Sequence, residues 1–352
     1  MNRQLRIANR KISHVPPLSR FGRSAVAGEG LYYWLTLFLL IPSFSKATEL
    51  PMINLEGEAQ GTTYHIKYRD ERQRNFKKEI DSVLITIDKC LSTYQADSEI
   101  SRFNRSEMHK FEWPYFYPVL KKSEVVFRET NGAFDPTVMP LVEAYGFGPK
   151  KIRLTEPINI DSLIQLVGFQ KISFDSLSIR KLKKNIRLDF NGIAQGYSVD
   201  VVAEFLESKG IDRYMVEIGG EVRTKGQKGE GQVWTIGIEN PLQPGKMLTT
   251  MKLVNRAMTT AGNYRNHYES NGQTFSHIIN PKTGSMEQSS VLSVTVFAPD
   301  AITADGYDTA FFVMGLDATK RFLAKRKDLD VYIVYTGEDG QPKTFITEGL
   351  KN

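Results

Sequence analysis

Cysteine is nearly absent from this chain of 352 residues: Cys90 is the only one. One thiol excludes an internal disulfide and any multi-cysteine metal site, and none is available for lipid attachment after the apolar leader. Cys90 falls at the end of an amphipathic helical pattern, which makes it a small core residue. Charge of one sign is also missing from most of the molecule. The net charge of +6 lies wholly in residues 1–47, where Arg3, Arg6, Arg10, Lys11, Arg20, Arg23 and Lys46 face only Glu29. The other 305 residues carry 39 basic and 39 acidic side chains. A neutral body offers no general footprint for polyanions, so nucleic acid is excluded as a partner. Three signatures are missing as well: G-x-x-x-x-G-K-[ST], G-x-G-x-x-G after a strand, and G-x-S-x-G. Phosphate handling here must use metal and backbone instead of a P-loop. There is no internal repeat, low-complexity tract or Pro/Ser linker.

The long hydrophobic run needed for a comfortable membrane span is absent too. Residues 31–44, L-Y-Y-W-L-T-L-F-L-L-I-P-S-F, give an apolar run of 14 between the basic segment and Ser45-Lys46-Ala47. This is the pattern of a secretory signal cleaved near Ala47, or of an N-terminal membrane anchor if it is retained. In both cases the basic side stays inside. Residues 1–47 are thus a signal or anchor, and residues 48–352 form one exported unit, periplasmic or held on the outer face of the inner membrane.

Apolar spacing predicts a strand within residues 55–69 and helices over 76–91 and 116–130. Residues 92–104, S-T-Y-Q-A-D-S-E-I-S-R-F-N, read as a loop rich in turn formers. Prolines and glycines forbid long regular elements over 132–149. Residues 186–190 read as a short strand broken by Asn191-Gly192, and a helix runs from about Ala194 to Gly210. A hairpin flanks Gly219-Gly220, with further strands over 234–238, 291–298 and, last, 331–335, and residues 258–264 lead to the loop 276–284. A helix starts near Ala301. Interspersed helices with strands joined by tight turns predict an α+β fold.

Three groups carry chemistry. The Gly-bearing turn after Asp189 exposes N–H groups at a positive helix end, which suits a phosphate; an ordinary strand–turn–helix has the same form. Asp305, Asp308 and Thr309 are spaced to face one point from a helix, as oxygen ligands for Mg²⁺ or as plain helix caps. His277 lies in the loop S-H-I-I-N-P-K-T-G, where it serves either as a proton acceptor near neutral pH or as a surface histidine. His65 falls in a strand pattern and reads as structural.

Six segments in order add a further reading: L-S-T-Y-x-x-D-S-E-I-S-R-F-N, G-A-F-D-P-T-V, L-D-F-N-G-I-A-Q-G-Y, E-I-G-G-E, S-H-I-I-N-P-x-T-G and A-D-x-x-D-T. Together they closely resemble the ApbE-type FAD:protein FMN transferases, and the resemblance covers essentially the whole body. It implies an α+β fold with a T-fold-like core, FAD as donor substrate and a required Mg²⁺. It also implies transfer of FMN to a Thr or Ser hydroxyl of an exported or membrane-bound flavoprotein, with release of AMP. By position, the flavin nucleotide contacts fall on Gln60, Tyr94, Ala133, Phe134, Asp135, Asp189, Gln195 and Ile279. The metal falls to the Gly192 carbonyl with Asp305, Asp308 and Thr309, and the base to His277. Gln60 and Gln195 stand where relatives often carry other residues, and the leader lacks the anchoring cysteine of lipoprotein relatives. Two other readings compete: Mg²⁺-dependent hydrolysis of FAD to FMN and AMP, and an exported flavin carrier without activity.

Overall fold

The computed structural model describes residues 49–149, 158–262, 267–270, 273–276, 278–286 and 289–351. The leader and His277 lie outside the described residues.

The main sheet begins with β1 (Met52–Ala59) and β2 (Thr62–Arg69), an antiparallel hairpin where the sequence predicted one strand. The break falls at Gln60 and Gly61, with φ of 54° and 75°. Two successive left-handed residues make the tight turn that matches the twist of paired strands. Six more strands follow: β3 (Tyr214–Ile218), β4 (Glu221–Lys225), β5 (Ala257–Gly262), β6 (Val291–Ala298), β7 (Asp330–Thr336) and β8 (Pro342–Ile346). Each pairs antiparallel with its predecessor, so the sheet is one meander in chain order. The strand over 330–336 is therefore not the last. β8, with its exposed and half-buried side chains, lacks the apolar alternation that marks β7.

Between β2 and β3 come α1 (Lys77–Leu91), α2 (Glu99–Arg105), α3 (Phe116–Glu129), α4 (Met139–Ala144), α5 (Ile160–Ile164) and α6 (Ala194–Ser208). α2 corrects the loop reading of 92–104. Ser98 caps it by accepting from the Ser101 N–H, and Ile100 and Phe103 are buried. Cys90 is in the core as expected, its thiol against Glu99. α7 (Ala301–Leu323) joins β6 to β7 and is broken at Gly315, which has φ 74°.

α6 packs on β3 and β4, α7 packs on β5 and β6, and the two helices pack on each other. Period-two alternation then decides what each strand buries. Val294, Val296, Val331 and Ile333 face α7, while Phe297, Tyr332 and Val334 face the opposite side. That side is covered by the hairpin Trp234–Glu239 with Met247–Leu253, through Ile238 and Leu253. The start of α7 is thus enclosed: from Ala301 to Asp308 every residue is buried.

Candidate functional site

The site is built where α6 and α7 cross. A Cβ on Gly196 would lie 2.4 Å from the Ala301 carbonyl oxygen, so only glycine lets the helices approach this closely. The Gly196 N–H donates to Asp305 Oδ2 at 2.8 Å, placing the Asp305 carboxylate at the positive end of α6. The reverse cap is present as well. Asp200 of α6 accepts from the Ala301 and Ile302 N–H groups at 2.9 and 2.8 Å and from Arg223 at 2.7 Å. Each helix start is held by a carboxylate of the other, which fixes the register of α7.

One turn on, Thr309 Oγ1 donates to Asp308 Oδ1 at 3.2 Å. A Cβ on Gly192 would be 3.2 Å from Thr309 Oγ1 and 3.5 Å from the Phe134 ring. Gly192, Thr309 and Phe134 therefore meet at one point. Burial pushes the Asp305 and Asp308 carboxyls up, and for Asp308 the negative charge of Asp305 adds to it. Two acids held together away from water favour protonation unless a cation compensates them. Among the described residues no cluster of three or more His, Cys, Asp or Glu is placed to hold a metal. The oxygens gathered at the start of α7 are instead the carboxylates of Asp305 and Asp308 and the Thr309 hydroxyl. Such a hard-oxygen set suits Mg²⁺, which completes its shell with water and substrate phosphate.

Where the sequence predicted a strand over 186–190, the chain runs without joining a sheet, and Arg187 makes only an isolated bridge to Val138. The backbone here is satisfied mainly by other means. Asn104 accepts from the Leu188 N–H at 2.7 Å and donates to the Leu188 carbonyl at 2.8 Å, and the Asp189 N–H donates to the Pro136 carbonyl at 2.7 Å. Asp189 Oδ1 accepts from the Asn191 N–H at 2.9 Å. Burial, opposed by that bond, pushes Asp189 up to about 6. Partial burial, with the Asp189 charge as the smaller cause, pushes the phenol of the exposed Tyr94 up.

Ala133, Phe134 and Asp135 are buried alongside. The Asp135 side chain is occupied by its own loop and by the distant Phe169. It accepts from the Thr137 N–H and hydroxyl at 2.9 and 2.6 Å and from the Phe169 N–H at 3.0 Å, and burial raises it to about 6. Gln60 donates to Ser198 Oγ at 2.5 Å, and a Cβ on Gly219 would sit 1.9 Å from Gln195 Nε2. Both glutamines therefore converge on the start of α6, between the β1–β2 and β3–β4 turns. Ile279 is different: its side chain packs with Leu141, Tyr145 and Val167 in a separate small core. Beside Ala133 a cleft of about 820 Å³ opens between Asn131, Asn280 and the second half of α7. Gly196, Asp200 and Asn104 received no role from the sequence. A glycine at a helix start and an aspartate four residues on were the only visible signs.

Residues 60–333 match the model of the ApbE family. A protein named FAD:protein FMN transferase from Haemophilus influenzae is 37% identical over 85% of this chain and 90% of its own length. One of the same name from Escherichia coli K12 is 32% identical over 88% of this chain and 91% of its own. Among solved structures, the flavin transferase ApbE from Vibrio cholerae superposes with a TM-score of 0.77 at 33% identity, covering 86% of this chain and 99% of that one. The flavinyl transferase ApbE of Pseudomonas stutzeri, in its apo form, also gives 0.77, at 30% identity over 86% and 96%. With the motif order, the α6–α7 crossing and these matches in agreement, the chain belongs to the ApbE family.

Proposed function

We propose that this protein transfers FMN from FAD onto a Thr or Ser hydroxyl of a partner flavoprotein, with Mg²⁺ required and AMP released. The observation that carries the reading is the buried start of α7, where Asp305, Asp308 and Thr309 lie within five residues, Thr309 bonded to Asp308 and placed against Gly192. The names of the relatives supply the donor and the protein acceptor. The four central strands β3–β6, with α6 and α7 on one face, support a T-fold-like core.

Phosphoryl transfer needs positioning and charge neutralisation more than covalent chemistry. Asp305, Asp308, Thr309 and the Gly192 carbonyl would hold Mg²⁺, which supplies neutralisation of the pyrophosphate charge. Gly192, without a side chain beside Thr309 and Phe134, would let the backbone approach that pyrophosphate. Asp189, raised to about 6 by burial, receives a hydrogen-bond donor of the nucleotide. The acceptor oxygen attacks the phosphorus on the FMN side, and the bond from that phosphorus to the bridging oxygen breaks. AMP leaves with the bridging oxygen. The hydroxyl proton passes to His277, the base that the motif implies. The basic leader supports a reaction outside the cytoplasm, with the body periplasmic or anchored at the inner membrane.

His277→Ala tests the reading. Transfer falls by roughly 10²–10⁴-fold for a lost general base, while FAD still binds. An unchanged transfer rate removes His277 from the mechanism.

A further inference from the structure

Separate from the main sheet, a small three-stranded sheet joins Met108–Lys110, Ser178–Lys181 and Ile172–Phe174 in that spatial order. Its inner row holds His109, Ile179 and Phe174, with Ile179 buried. Its outer row pairs Met108 with Arg180 and Lys110 with Ser178, and Leu182 continues that face past the strand end. The outer row combines two features that seldom coincide. Met108 and Leu182 are 44% and 62% exposed, and Leu177, at the turn into the middle strand, is 73% exposed. Around them Lys110, Arg180, Lys183 and Lys184 are all exposed, and among the described residues none makes an ion pair, although Lys183 donates to the Gln165 carbonyl at 2.9 Å and Arg180 reaches Met108 Sδ at 3.9 Å. Three acids lie nearby and offset only part of this charge, and one of them, Glu112, is already paired with Arg102 at 2.6 Å. Asp175 is used by the Leu177 and Ser178 N–H groups of its own turn. Glu107 belongs to the opposite row, where its charge acts on Lys181. In a body that is neutral overall, this face is cationic and apolar together.

We infer that this face docks on an anionic phospholipid surface. A sheet face with single protruding leucines and exposed cations around them matches a lipid headgroup layer. The apolar tips enter the interface while the cations meet phosphate, each cation near an anionic leaflet adding to the attraction. Ser173, Ser178 and Arg180 lie on one sheet face, so the cations and the apolar tips are presented together. The docking has a consequence for the site. Lys181 of this sheet donates to the Asn104 carbonyl at 3.0 Å, and the Asn104 side chain holds Leu188 next to Asp189. A docked sheet therefore presents the candidate site near the membrane surface, where a membrane-bound acceptor lies.

The test uses the full-length chain with Leu177→Cys labelled by an environment-sensitive fluorophore. Cys90 is fully buried and its thiol is pushed up by burial, so the label goes to position 177 alone. Leu242→Cys, on the exposed tip of the other hairpin, serves as the reference. Vesicles of phosphatidylcholine with phosphatidylglycerol are compared with phosphatidylcholine alone. The expected result is a blue shift at 177 but not at 242, on the anionic vesicles only. About 0.5 M salt removes it, and the triple variant R180E, K183E, K184E needs about a hundredfold more anionic lipid to reach it. Because the leader is unchanged in every variant, these differences belong to the sheet. A protein that binds vesicles with position 177 unshifted overturns the inference, as does an equal shift on neutral vesicles. A shift produced by polyglutamate and not by vesicles overturns it in favour of an acidic polypeptide partner.

Discussion

Gly196 and Asp305 are joined by an N–H to carboxylate bond of 2.8 Å across two helices whose backbones nearly touch. The glycine is therefore part of the carboxylate's position. Gly196→Ala places a methyl against the Ala301 carbonyl and the Asp305 Cβ, at 2.4 and 2.7 Å. The helices must separate, at a cost of about 1–3 kcal/mol for overpacking. Denaturant unfolding should show that loss, and Mg²⁺ titration of turnover should show a raised requirement for the ion. A variant with wild-type stability and Mg²⁺ response contradicts this geometry.

Asp305→Ala and Asp308→Ala should each abolish most turnover, and they should differ in stability. Asp305→Ala leaves the buried Gly196 N–H without its acceptor, which costs about 1–3 kcal/mol, while Asp305→Asn keeps an acceptor there. Calorimetric titration with Mg²⁺ and thermal melts separate the two effects. Near-normal Mg²⁺-dependent rates in both alanine variants refute the metal assignment.

The buried carboxyl of Asp189 sets a pH dependence. Its folded pKa is about 6 because burial outweighs the Asn191 N–H, whereas an unfolded aspartate titrates near 4. Between those values the folded chain binds more protons, so the stability from this group is full below about pH 4. It is lost as pH rises through about 6. In ligand-free protein Asp189→Asn should flatten this part of the fall in Tm, as followed by calorimetry across the range. FAD binding should tighten as pH rises through about 6 if the ionised form receives the nucleotide's donor, and the asparagine variant should lose that trend.

Asn104→Ala removes two hydrogen bonds to the Leu188 backbone, neither replaced by a sheet neighbour. The expected cost is about 2 kcal/mol, with weaker FAD binding because Asp189 is the next residue. Melting curves and fluorescence titration with FAD check both. Intact FAD affinity would mean that Pro136 and Asn191 suffice to hold Asp189.

Elements with their own periodicity were legible in the sequence. α1, α3 and the strands β6 and β7 carry apolar faces that the chain displays directly. The site motifs were legible as types of residue: two acids and a threonine on one helix, and a glycine turn after an aspartate. Elements defined by distant partners were not. Residues 186–190 look like a strand because their apolar residues are buried, yet a side chain from 84 positions away takes the place of a neighbouring strand. α2 hides among turn formers because its serine cap and buried Ile100 and Phe103 span only about two turns. Asp200 is one acid in an amphipathic helix until α7 is laid beside it. Asp135 carries a further feature the motif did not display: its carboxylate accepts from Thr137 and from the Phe169 N–H, 34 positions away.

The central claim is that FMN leaves FAD for a protein hydroxyl. It is tested most directly by incubating the protein with FAD, Mg²⁺ and an exported flavoprotein acceptor, then measuring the acceptor's intact mass and the AMP released. The account predicts a gain of one FMN per acceptor on a Thr or Ser, with AMP in equal amount and little AMP when the acceptor is left out. AMP released with free FMN alone, at the same rate with and without acceptor, would contradict it and show a hydrolase.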